Sequence, residues 1–141
     1  MTRTFAALIA LSFAAPAFAD GHGGDAAAGE KGFNKCKSCH MIESDAGETI
    51  VKGGKTGPNL YGVIGRTAGT ADFKYGKDLV AAGEAGLVWD EANLAEYTAD
   101  PRAFLREYLG DSKAKSRMAF KLKKGGEDVA AYLASVGGGE G

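Results

Sequence analysis

The chain has 141 residues, 45% of them hydrophobic and 25% charged, with 17 Lys and Arg against 18 Asp and Glu. A formal net charge of −1 excludes a strongly basic nucleic-acid binder, and two cysteines are too few for a disulfide framework. Twenty-two glycines point to short helices joined by long loops.

The first 19 residues read as an export leader. Arg3 is followed by an apolar run from Phe5 to Ala15, then by Ala17-Phe18-Ala19 as a cleavage site. The run is too short for a comfortable bilayer span, and Pro16 keeps a helix from continuing through it. Cleavage after Ala19 leaves residues 20–141 as one small domain. It keeps 16 of the 17 basic residues, losing Arg3, and all 18 acids. Asp20-Gly21-His22-Gly23-Gly24 reads as a flexible lead-in.

A first helix is expected to start at Asp25, a good N-cap, and to run to Cys36. Gly29 and Phe33 share a face of it, and the glycine lets another helix backbone come close. The next five residues are Cys36-Lys37-Ser38-Cys39-His40. Positions i, i+3 and i+4 of a helical turn lie on one side, so Cys36, Cys39 and His40 can meet the same flat ligand. The pattern reads as a c-type haem attachment site, with two thiols for the porphyrin vinyl groups and an imidazole for the iron. A redox dithiol needs a βαβ context, and no Val/Ile-dense runs flank this pair. A zinc site needs a second pair of ligands, and only one other histidine exists.

A short helix is expected near residues 76–82. Asp90 caps another through Leu94 and Tyr97. Asp100 and Pro101 open the next as N-cap and first helical position, with Phe104, Leu105 and Tyr108 on its inner face and Gly110 as its stop. In the last helix, residues 127–136, Val129, Tyr132, Leu133 and Val136 form an apolar stripe. That stripe is the natural partner of Gly29 and Phe33. Strand content is expected to be close to zero, so the class is all-α, with about five short helices. A core this modest predicts that the haem-free chain folds poorly.

Met and His are the usual sixth ligands of such a haem. Met1 leaves with the leader, Met41 follows His40 directly and cannot cross to the opposite face, and His22 sits in the lead-in. Met118 is favoured. With both axial positions filled there is no open site for oxygen or substrate. One-electron transfer is then the expected function, and an enzyme or gas sensor would need Met118 to stay off the iron.

The chain resembles the class I cytochromes c, most closely the bacterial soluble carriers of the cytochrome c-two branch. The resemblance rests on Cys36 to His40, Thr56-Gly57-Pro58-Asn59-Leu60, Gly65-Arg66, Tyr75, Trp89, Tyr97 before Pro101, and Met118-Ala119-Phe120. It covers nearly all of the mature chain. It implies a small cytochrome c fold around one haem c, covalent through Cys36 and Cys39, with His40 and Met118 as iron ligands. It implies that the Pro58 carbonyl accepts a hydrogen bond from His40, that Arg66, Tyr75 and Trp89 face the propionates, and that Tyr97 lies beside the Met118 sulfur. Taken alone, Trp89 and Tyr97 read as core residues. Lys115-Ser116-Arg117 departs from the Gly-Thr-Lys of many members, and Ser116 keeps a hydroxyl within possible reach of a propionate.

The resemblance further implies a periplasmic electron carrier rather than an enzyme, and a small shuttle is most simply a monomer. Its donor is a quinol-oxidising bc-type membrane complex, and its acceptor a photosynthetic reaction centre or terminal oxidase. Lys35, Lys37, Lys52, Lys55 and the acid-free run 113–124 are expected to ring the haem edge as the docking face. The acidic stretch 72–100 is expected to face away.

Overall fold

The computed structural model describes residues 23–137. The expected leader, residues 1–19, and His22 lie outside the described residues. Among the described residues five helices carry the fold: α1 (Ala26–Gly32), α2 (Lys77–Glu84), α3 (Glu91–Ala99), α4 (Pro101–Leu109) and α5 (Gly126–Val136). A 3-10 turn, Phe33–Lys35, continues α1 into the cysteine pair.

Local chemistry sets the helix starts. Asp25 Oδ1 accepts the N–H groups of Ala27 and Ala28 at 2.9 and 3.3 Å, satisfying donors that α1 cannot pair internally. Asp90 and Asn93 close a reciprocal capping box on α3, at 2.7 and 2.9 Å. Asp100 Oδ1 takes the Ala103 N–H at 3.0 Å, and Pro101 opens α4 at a position where no N–H is needed. Gly110 ends α4 at φ 62°, a left-handed conformation that favours glycine.

The first and last of these helices, α1 and α5, pack against each other. Phe33 is fully buried, with its ring centroid 6.0 Å from that of Tyr132. Gly29 is buried against the α5 backbone, where a Cβ would overlap the Asp128 carbonyl. The Asp25 N–H donates to Asp128 Oδ1 at 2.8 Å and ties the two helix starts together. A backbone carbonyl cannot swing aside as a side chain can. Gly29→Ala is therefore expected to destabilise the protein by about 2 kcal/mol, although alanine suits a helix interior better by about 1 kcal/mol. An unchanged urea midpoint would show that the crossing opens freely.

Helix α3 packs on both α5 and α4, and α2 packs on α4. Leu94, Tyr97, Leu105 and Leu133 fill the centre.

Strand content among the described residues is low, as expected, and one other expectation changes. Strand is present as a short antiparallel hairpin, β1 (Ile42–Glu43) and β2 (Thr49–Val51), with Ile42 fully buried beneath it. Its turn closes through Gly47 at φ 83° and the Ser44 side chain, which accepts the Glu48 N–H at 3.1 Å. Tyr108 lies at the edge of α4, 40% exposed, rather than on its inner face. It stacks on Phe104 one turn back, with centroids 5.9 Å apart.

Candidate haem site

Cys36, Cys39 and His40 sit on one tight turn. The His40 N–H bonds the Cys36 carbonyl at 2.9 Å, the i to i+4 spacing that gathers the three side chains on one side. Cys36 is half-buried and Cys39 exposed. As free thiols they differ: burial pushes Cys36 up, while hydrogen bonds from Thr56 and Ser38 pull Cys39 down. Cys39 is the more readily ionised of the two.

The loop after the hairpin clamps this turn. The Gly54 N–H bonds the Lys37 carbonyl and the Gly57 N–H bonds the Cys39 carbonyl, both at 2.8 Å. Gly53 and Gly54 lie backbone to backbone against His40 and Ser38, where any Cβ would overlap a carbonyl. A Cβ on Gly57 would come within 2.5 to 2.9 Å of three atoms of the His40 ring. These glycines belong to the site through close approach. The only local hint in the sequence is their density between Lys52 and Pro58.

His40 Nδ1 lies 2.8 Å from the Pro58 carbonyl oxygen. A carbonyl only accepts, so Nδ1 carries the hydrogen and Nε2 the lone pair. Burial pushes the imidazole below its usual range, and the Pro58 bond pushes the other way. The ring is thereby held as a neutral, oriented donor. Asn59 locks the neighbouring loop onto the hairpin. Its amide donates to the Glu43 carbonyl at 2.8 Å, and its oxygen accepts the Glu43 and Tyr61 N–H groups at 3.0 and 3.1 Å.

Arg66, Tyr75, Trp89 and Tyr97 are brought into one neighbourhood. The Trp89 N–H donates to the Arg66 carbonyl at 2.9 Å. The Arg66 guanidinium is half-buried and donates to the carbonyls of Asn59 and Tyr61 at 3.3 to 3.4 Å. Burial lowers its pKa and the nearby Tyr75 hydroxyl raises it. Trp89 packs on Tyr97 with centroids 4.9 Å apart. The Tyr97 hydroxyl lies 3.5 Å from Ser116 Oγ. Burial raises its pKa, Ser116 lowers it and Tyr75 raises it further.

Met118 is half-buried and packs against the core from the loop before α5. Ser116 Oγ donates to the Met118 carbonyl at 3.0 Å, so this hydroxyl serves the loop itself.

The basic run is not opposed to the acidic stretch as expected. Lys121 Nζ pairs with Asp100 at 2.8 Å, and the Lys115 N–H donates to Asp78 Oδ2 at 2.8 Å. The chain folds these two segments beside each other, because the loop after α4 returns over the start of α2. Lys113, Lys115, Lys121, Lys123 and Lys124 are all exposed, and the Lys115 bond uses its backbone N–H and not its ammonium.

The donor set suits haem c. Two thiols precede an imidazole whose Nδ1–H is already donated, which leaves Nε2 for iron.

No family model matches the sequence. Among curated proteins, the chain is 73% identical over 139 residues to cytochrome c-551 of Roseobacter denitrificans, covering 98% of each. It is 63% identical to cytochrome c2 of Rhodobacter capsulatus, over 96% of this chain and 97% of that protein. The crystal structure of the Rhodobacter capsulatus cytochrome c2 superimposes with a TM-score of 0.79 at 66% identity, covering 80% of this chain and 98% of that one. Likeness of this extent in both sequence and fold shows that the chain belongs to the class I cytochromes c, in the cytochrome c2 group of electron-transfer proteins that hold one haem c through two cysteines.

Proposed function

We propose that this protein is a periplasmic shuttle whose haem iron is held between His40 and Met118. The observation that carries the proposal is the fixed His40 ring, with Nδ1–H on Pro58 and the Gly57 backbone against its face. The bound group would supply a single reversible electron. The residues would orient it, exclude water and set its potential. Pro58 would fix the ligand tautomer and raise its basicity. Arg66, Tyr75 and Trp89 would serve the propionates, since buried carboxylates need donors or a cation, and Tyr97 would flank the Met118 sulfur. A thioether ligand raises the potential, and burial acts the same way by disfavouring the more charged oxidised centre.

The export leader supports a periplasmic address. No helix among the described residues is long and apolar enough to cross a membrane. The donor would be a quinol-oxidising bc-type complex and the acceptor a reaction centre or terminal oxidase, met by a monomer through its lysine face. Lys113, Lys123 and Lys124 are exposed lysines of the run suited to test this role, whereas Lys121 is already paired with Asp100. Reversing these three to Glu is expected to slow electron transfer from the bc-type complex by roughly tenfold or more at low salt. The deficit should shrink as salt screens the field. Equal stopped-flow rates for wild type and variant at low ionic strength would place docking on another face.

A further inference from the structure

The loop that bears Met118 is anchored at its ends by Ala114 and Leu122, 1% and 5% exposed. Between them Lys115, Arg117, Ala119, Phe120 and Lys121 are on the surface. A surface segment with so little packing opens readily unless polar ties hold it.

Ties from α3 and α4 hold one side. Arg106 Nε donates to the Ala114 carbonyl at 3.2 Å, and the Leu122 N–H to the Thr98 carbonyl at 2.8 Å. The other side is held from the entry to α2. The Lys115 N–H donates to Asp78 Oδ2 at 2.8 Å, across 37 residues of sequence. Arg117 Nη1 donates to the Lys74 carbonyl at 3.2 Å. A backbone N–H on a carboxylate is stronger than one on a neutral acceptor. Asp78 stands in the first turn of α2, where the helix dipole also favours its charge.

We propose that Asp78 is a positioning residue for Met118: its carboxylate holds the Lys115 amide and so keeps the Met118 loop closed. The inference rests on Met118 being the sixth ligand. It deepens that reading by naming α2 as the element that governs how often the ligand leaves.

Imidazole is a suitable probe, because it competes with Met118 for the ferric iron. Its apparent affinity therefore scales with the population of the open loop. In the ferric holoprotein, Asp78→Ala is expected to tighten imidazole binding roughly fivefold, as the loss of one charged hydrogen bond permits. Asp78→Asn keeps an oxygen acceptor and should lie within about twofold of wild type. Hydrogen exchange should show lost amide protection confined to residues 114–122, with α1 and α5 unchanged. Unchanged imidazole affinity in Asp78→Ala would overturn the proposal. So would an Asp78→Asn variant as loose as Asp78→Ala, or a loss of protection spread over α1 and α5. Failure of the Met118 assignment would show separately, as a missing sulfur-to-iron band in the unmutated protein.

Discussion

Met118→Ala is expected to lower the reduction potential by roughly 0.1 V or more, a fraction of the ~0.8 V that axial ligation spans. The reduced variant should also bind carbon monoxide rapidly, which the wild type should not. The thioether is a poor donor to Fe(III), so removing it takes away the preference for the reduced state. The loop around Met118 is anchored independently by Ala114, Leu122 and the Arg106 tie. The variant should therefore stay folded and report on ligation alone. A potential within error of wild type, measured by equilibrium redox titration, would mean that another group completes the iron.

The second large effect concerns folding. The Cys36→Ala, Cys39→Ala double variant cannot bond haem, and it is expected to lose more than half of the native helicity in far-ultraviolet circular dichroism. The helices are short, seven to eleven residues, and isolated helices of that length are marginal in water. A chain of this size buries a limited core of its own. Trp89, Tyr97 and Phe104 form an aromatic cluster on the side where Arg66, Tyr75 and Ser116 converge. A covalently held haem that packs only in the folded state would stabilise that state by the apolar surface it takes out of water. Full helicity without haem would show that the polypeptide alone specifies the fold.

What the sequence made legible follows from how local the physics is. Asp25, Asp90 and Asp100 were readable as caps because a cap needs only a side-chain oxygen and N–H groups two or three residues on. The α5 stripe was readable from its spacing, and so was its partner, because Gly29 in a helix asks for a close neighbour. The hairpin was not, since strands of two and three residues show no alternation. A short Gly-containing connection between Ile42 and Val51 was the available signal. The contacts of Gly53, Gly54 and Gly57 with the cysteine turn are long-range in space and leave no periodic trace. The same holds for Asp78 with Lys115 and Asp100 with Lys121, which charge counting along the chain placed on opposite faces. The family motif carried Pro58, Arg66, Tyr75, Trp89 and Tyr97. The structure gathers four of them, Arg66, Tyr75, Trp89 and Tyr97, in one neighbourhood and sets Pro58 against His40.

The most direct measurement is the far-red absorption spectrum of the purified ferric holoprotein at neutral pH. A weak sulfur-to-iron charge-transfer band, present in the wild type and absent from Met118→Ala, is the expected result and fixes a His40 and Met118 electron carrier. A wild-type spectrum without that band would contradict the account and leave an iron open to exogenous ligands.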